Sequence, residues 1–355
     1  MPQYSDSSTT RNQLTLYIPG IFDLPGGNQP SVGSLRALET LLVRSEQKIS
    51  HATTGYENGL FSLFGIHADE NSDLPVAAIT RMNDMGVIDN DWWIRADPVN
   101  LSLDRERLVL IDAQRLGITQ EQANRLVGEI MEVFKGDGWL LKAPCPDRWY
   151  LKPPKNHNIT TSPLSQVIGQ DVHPYLPKGP DSRLWHTTLN EIQIILHASN
   201  VNSEREQGGK LPVNSLWFWG GGRLPRITPA SWTKIWSNEP ISLSLARMSE
   251  IPWGSPPGIF DIWLRHAGKP GKHLIILDDI QYVSKYEDAA GWNKILQGIE
   301  DNWMKPALHA LKYNTIASAE LVTDMGMSFS LTSRDSRRWW RFRRPLETYG
   351  ERRNG

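Results

Sequence analysis

The stretch SNVNSEREQGGKLPVNSLWFWGGGR places Arg205 between two asparagines, Asn202 and Asn214, and ends in three glycines followed by Arg223. A guanidinium in a loop can take a carboxylate or phosphate through two parallel N–H bonds, and a glycine turn lets backbone approach an anion closely. Asn202, Arg205, Asn214, Gly221 and Arg223 are therefore a candidate anion site. The plain alternative is a loop ion pair, two turn asparagines and a tight strand exit, since no Lys-Ser signature of a phosphate loop follows the glycines. Asp278 and Asp279 close the apolar run KHLIILDD, and α/β proteins place functional groups at that end of a strand. Carboxylates there also serve as helix caps. His186 and Glu191 stand five apart, whereas one helix face needs three or four. His273 reads as a strand-entry residue, and His51 and His67 have no partner at ligand spacing. In the last segment, RDSRRWWRFRRP, arginine interleaves with aromatic rings, which can hold nucleic acid or an acidic partner through phosphate contacts and stacking. The plain alternative is a final strand with Arg outwards and Trp and Phe inwards.

Such groups need a scaffold, and 355 residues exceed the usual single core, so two domains or one with a large insertion are expected. With 38 basic against 39 acidic residues, the net charge of -1 creates no overall field towards nucleic acid or an anionic membrane. No stretch reaches the roughly 18 to 20 apolar residues of a bilayer span, and MPQYSDSSTT lacks a basic segment followed by an apolar one. A soluble cytoplasmic protein is the expectation. Cys145 is the one cysteine, which excludes an internal disulfide and a multi-Cys metal site and fits a reducing compartment. The 15 tryptophans call for large aromatic clusters.

QLTLYIPGIFDL reads as a strand ending in a Pro-Gly turn, and SLRALETLLVRSEQ as the helix after it. WWIRADPVNLSLD reads as a loop before a short strand at Arg107 to Asp112, and Thr119 with Gln122 fits a capping box. DGWLLKAPCPDRWYLKP alternates like a hairpin, and residues 153–180 read as a long surface loop. A helix from Leu184 to about Ala198, a loop at NVNSEREQGGK, a helix near Gly258 to His266, a long helix from Asp288 to about Leu311 and a final edge strand complete the pattern. LTLYI, SLWFW, HLIIL and SAELV are expected in one mainly parallel sheet covered by helices on both faces. This α/β core takes residues 1–90 and 205–355, and residues 91–204 form an inserted, lid-like small α+β domain.

Two stretches, RADPVNL with its following strand and helix, and LNEIQIILHASNVNSEREQGGKLPVNSLWFWGGGR, resemble the archaeal-type cofactor-independent phosphoglycerate mutases of the alkaline-phosphatase superfamily. Over nearly its full length the chain looks like the RpfE-type bacterial regulatory proteins, which are related to those mutases. The resemblance implies an alkaline-phosphatase-like fold in which Asn202, Arg205 and Asn214 line a cleft between two domains. In the mutases two divalent metals are held by Asp and His, and a Ser accepts the phosphoryl group; Ser31 and Ser34 are its candidates here, and both also suit turns or helix caps. The first strand of the mutases ends in a metal-binding Asp before Gly, where this chain has Pro19 before Gly20. Their Ala-Gly-His becomes Gly291 followed by Trp292, and their Asp-His pair becomes Asp324 followed by Met325. Indole cannot bind a metal, and a thioether is a poor ligand for Mg, Mn or Zn.

These departures imply a fold retained and a two-metal site lost. The expectation is a non-catalytic or regulatory protein with no metal and no cofactor. It would hold an anionic small molecule or a protein partner in that cleft, with Asp278, Asp279 and Asp324 as remains of the old site. The alternatives are a metal-dependent phosphomutase or phosphatase with rearranged ligands, and a nucleic-acid-binding regulator acting through the Arg-rich tail. The neutral overall charge speaks against nucleic acid.

Overall fold

The run QLTLY forms β1 (Gln13–Tyr17), buried nearly throughout because it sits inside a sheet with neighbours on both sides. We describe a computed structural model of the protein covering residues 11–23, 33–68, 72–226, 230–286 and 288–350. Ser31 lies outside the described residues; Ser34 is exposed. In spatial order the first sheet holds β2 (Glu46–Thr54), β12 (Met325–Thr332), β11 (Ser318–Val322), β1, β10 (Lys272–Ile276), β8 (Lys234–Trp236) and β9 (Trp253–Gly254). All neighbours from β11 to β9 are parallel, and β12 and β2 add antiparallel pairing at one edge. The fold is thus mixed α/β with a mainly parallel sheet and packed helices.

Two of the expected boundaries inside this region change. The final strand β12 is not an edge, because β2 pairs along it. The sequence EQKISHATT carries no alternating pattern and is exposed along almost its whole length, so only pairing makes it a strand. The long helix expected from Asp288 is broken into Ala289–Ile299, a π-helical turn Glu300–Met304 and Lys305–Lys312. Pro306 has no N–H to donate, and the wider turn accommodates its ring. The break is put to use: buried Glu300 accepts from Ala37 N and Leu38 N, each at 2.8 Å. It thereby caps the helix Arg36–Arg44, whose own N-cap residue Leu35 offers no side-chain acceptor.

The second sheet is antiparallel and is built on a twelve-residue strand, β3 (Trp93–Asp104). Its partners are β4 (Arg107–Ile111), β6 (Arg148–Lys152) and β7 (Ser215–Gly222), with β5 (Leu140–Cys145) beyond β6. This overturns the placement of SLWFW in the parallel sheet. Leu216 and Phe218 instead join Ile94, Trp149 and Trp185 in a core of their own. An apolar run buried on both faces reads like a parallel core strand whichever sheet receives it. The compact units accordingly span residues 1–67 with 227–355, and residues 68–226. The second begins before and ends after the expected 91–204, because the helix Val76–Met85 packs on β3 and β7. Thr119 and Gln122 do form a capping box, and β5 with β6 is the expected hairpin. Among the described residues no helix is long and apolar enough to cross a membrane.

Candidate functional site

The residues expected to grip an anion are occupied by the fold itself. NVNSEREQ is a helix, Asn200–Gln207, capped by Ser199, not a loop. It has almost no apolar periodicity, which is why its pattern is silent. Arg205, 1% exposed, donates from Nε to Leu211 O at 2.9 Å, from Nη1 to Gln122 Oε1 at 2.7 Å and from Nη2 to Leu116 O at 2.7 Å. Its planar fork thus fastens two backbone carbonyls and the Gln122 side chain, and each of its three nitrogens is engaged by the fold. Asn202 bridges Leu196 O, Val213 O and Val213 N, and Asn214 pairs with both backbone groups of Leu101. Arg223 donates to Asn90 O.

The glycines are a packing surface. Gly220 has φ +63, and a Cβ there would meet Val76 Cβ at 2.8 Å; one on Gly221 would meet Trp92 Cζ2 at 2.5 Å. Their amides are also taken: Gly220 N donates to Thr161 Oγ1 at 3.1 Å, and Gly221 donates to Asp73, whose carboxylate also accepts from Thr161. An internal carboxylate stands where an external anion was expected, and burial raises its pKa. The remaining histidines also act structurally or lie at the surface. His186 is bonded to Pro177 O, His273 is buried against Trp236, and His51 and His67 are exposed. Cys145 accepts from Arg148, and burial raises its thiol pKa, the reverse of an activated nucleophile.

A different set converges at the C-terminal ends of β1, β10 and β11. Gly20 follows β1 with φ +75, a conformation that suits glycine, and a Cβ there would meet Gln281 Cα at 2.8 Å. Its N–H donates to Asp324 Oδ1 at 2.9 Å, and its carbonyl accepts from Trp292 Nε1 at 3.1 Å. Positions 19–20, 292 and 324–325 are far apart in sequence, and this hydrogen-bonded chain joins them. Nearby, Tyr17 donates to Tyr56 O at 2.7 Å and Tyr56 to Asp278 Oδ2 at 3.1 Å. Asp278 and exposed Asp279 line a cavity of about 420 Å³ with Asn238, Asn302, Ile299 and Trp303.

Burial governs the charge here. It raises the carboxyls of Asp324 and Asp278, and Asp23 adds repulsion at Asp324. It also raises the phenols of Tyr17 and Tyr56, so both stay un-ionised. Glu239 accepts from Ile241 N and Ser242 N at the start of the helix Pro240–Met248, and its burial pushes its pKa up to about 7. The sequence signal that could have found it is Glu before Pro at a helix start; Tyr17 and Tyr56 carried none beyond position.

Glu239 sets a pH dependence. Its folded pKa lies above the unfolded value, so the stability linked to its protonated form is complete below about pH 4.5 and is lost as pH rises through about 7. Between those limits the loss is on the order of 3 kcal/mol. Urea midpoints followed by Trp fluorescence should therefore fall from pH 5 to pH 8, and Glu239→Gln should flatten that fall. An equally steep slope in the variant would remove Glu239 as its cause.

The donor set does not fit two divalent cations. Hard ions need several oxygen or imidazole ligands each, whereas Asp324 spends Oδ1 on an amide and the indole of Trp292 has no lone pair to give. Among the described residues no three His, Cys, Asp or Glu side chains are placed to hold a metal.

No protein-family model matches the chain. Over 67 residues it is 33% identical to the 2,3-bisphosphoglycerate-independent phosphoglycerate mutase of Methanosarcina mazei, covering 19% of this chain and 17% of the mutase. Over 135 residues it is 29% identical to the probable 2,3-bisphosphoglycerate-independent phosphoglycerate mutase of Geobacter sulfurreducens, covering 38% of this chain and 34% of that one. The chain is distantly similar to these mutases. The matched stretches span about a sixth to a third of the length of those relatives. The PH0037 protein of Pyrococcus horikoshii shares the fold at a TM-score of 0.50 and 12% identity, covering 91% of this chain and 88% of that one. The cofactor-independent phosphoglycerate mutase of Thermoplasma acidophilum aligns at a TM-score of 0.44 and 17% identity, covering 91% and 90%.

Proposed function

We propose that this protein is a non-catalytic, regulatory relative of the cofactor-independent phosphoglycerate mutases, of the RpfE type and acting in the cytoplasm. In this reading the C-terminal end of its parallel sheet binds a small polar molecule or a partner protein. The observation that carries the proposal is the chain Trp292 to Gly20 to Asp324. Two positions at which the resembled mutases place metal donors, 292 and 324, are tied to each other through Gly20, the residue that follows the third such position, Pro19. The ligand in this reading donates hydrogen bonds and carries no net negative charge. The cavity beside Asp278 and Asp279 has Asn238 and Asn302 on its rim and no Lys, Arg or His among its lining residues. That replaces the anionic ligand expected from Arg205.

The test combines metal analysis of the purified protein with a coupled assay of phosphoglycerate interconversion, with and without added Mn²⁺. The expected outcome is substoichiometric metal and no rate above background in either condition. Two metals per chain together with a mutase rate abolished by a chelator would establish rearranged ligands and overturn the proposal.

A further inference from the structure

The Arg-rich segment is not the strand that its plain reading requires. Strand β12 ends at Thr332, and the residues that follow form a 3-10 turn, Asp335–Arg337, and then irregular backbone. Trp339, Trp340 and Phe342 do not turn inwards: they are 76%, 58% and 84% exposed. Three large rings in four residues, all in water, are a feature that a free surface does not explain.

Half of the arginines hold this display in place. Arg341 Nη1 donates to Val43 O and Ser45 O at 3.1 and 3.0 Å, and Arg338 Nη1 donates to Arg44 O at 3.1 Å. Arg343 pairs with Glu39 at 3.3 Å. Arg338 and Arg341 cover the end of the helix Arg36–Arg44, whose last carbonyls need donors, and Arg343 holds Glu39 in its first turn. The other arginines, Arg334, Arg337 and Arg344, are exposed. Residues 334–344 hold six Arg and one Asp, a net +5 in a chain of net -1.

We propose that this segment is a docking strip for single-stranded nucleic acid. Trp339, Trp340 and Phe342 are interleaved with Arg341 and flanked by Arg337 and Arg338 on one side and Arg343 and Arg344 on the other, and rings and cations are not segregated on two faces as in an amphipathic helix lying on a membrane. The ligand that matches exposed rings bracketed by cations is one in which bases to stack and phosphates to pair recur along a chain. Exposed guanidiniums of Arg334, Arg337 and Arg344 supply the phosphate contacts, and Trp339, Trp340 and Phe342 supply the stacking faces. Arg338, Arg341 and Arg343 anchor the segment to the helix Arg36–Arg44, and Trp339 and Trp340 meet edge to face with ring centroids 6.2 Å apart. The strip stands apart from the proposed function and survives its failure.

The experiment is fluorescence anisotropy of a labelled 15-nucleotide dT strand against the full chain in 50 and 200 mM NaCl. The combined variant Trp339→Ala, Trp340→Ala, Phe342→Ala is expected to bind tenfold or more weakly. The combined variant Arg334→Ala, Arg337→Ala, Arg344→Ala is expected to reduce the slope of log affinity on log salt by about two. Both sets are exposed, and circular dichroism checks that they leave the fold unchanged. The inference is overturned if the wild type fails to bind dT in 50 mM salt, or if the aromatic variant binds it equally well. Capture by phosphatidylglycerol vesicles, or binding of polyglutamate as tight as that of dT, would overturn it in favour of a membrane or an acidic protein.

Discussion

Asp97→Ala is expected to destabilise residues 68–226 by roughly 3–5 kcal/mol, the usual consequence of leaving a buried charge unpaired. Asp97 is fully buried in β3 and accepts from Arg95 Nε and Nη2 at 2.8–2.9 Å, from Trp219 Nε1 at 2.7 Å and from Trp149 N at 3.2 Å. One carboxylate therefore ties β3 to β6 and β7. Arg95 lies over the rings of Tyr150 and Trp219, at 5.4 and 5.2 Å from their centroids, and has no route to solvent once its partner is gone. Replacing both members with apolar residues removes the charge along with the pair, so Arg95→Met with Asp97→Leu should cost less than Asp97→Ala alone. Hydrogen exchange of the β3, β6 and β7 amides in urea separates this unit from the other. A loss below about 1 kcal/mol for Asp97→Ala would show that Arg95 is not held by this pair.

Trp292→Ala should be comparably severe, costing roughly 3–5 kcal/mol, because it empties a large buried site and leaves Gly20 O without its indole donor. Trp292→Phe separates the two effects. It keeps a six-membered ring and loses the N–H with a smaller share of the buried volume than Ala does, so about 1–3 kcal/mol is expected. If the two variants unfold at the same urea concentration, the hydrogen bond to Gly20 matters more than the packing. In either case the buried indole acts through packing and its bond to Gly20. The stability test is independent of the mutase assay and stands whatever that assay gives.

Much of the scaffold was legible from local patterning. QLTLY, HLIIL and SAELV are short apolar runs flanked by turn residues, and each is a strand of the parallel sheet. Thr119 and Gln122 announce a helix start because a capping box satisfies two amides within four residues. That Pro19, Trp292 and Met325 offer no good ligand to a hard cation is likewise a matter of residue type alone. Failures came where a residue's partner lies far along the chain. β3 looked like a loop because Arg95, Asp97 and Pro98 suit one, and only Trp149 and Trp219, brought in by β6 and β7, make that pair tolerable inside a sheet. Glu300 gave no sign of capping a helix some 260 residues away.

The same division holds for function. Side-chain chemistry in the sequence speaks to ligand type at these positions, because an indole has no lone pair for a cation in any fold. Side-chain chemistry could not say whether a guanidinium is free. Arg205 and Arg337 are alike as residues, yet folding surrounds the first with three carbonyl-type acceptors and leaves the second in water. Whether a donor meets protein or solvent is fixed by burial, and burial is set by which segments pack together. That is a property of long-range contacts, so the anion grip expected at Arg205 became a structural clasp, and the aromatic residues expected inside the tail stand in the open.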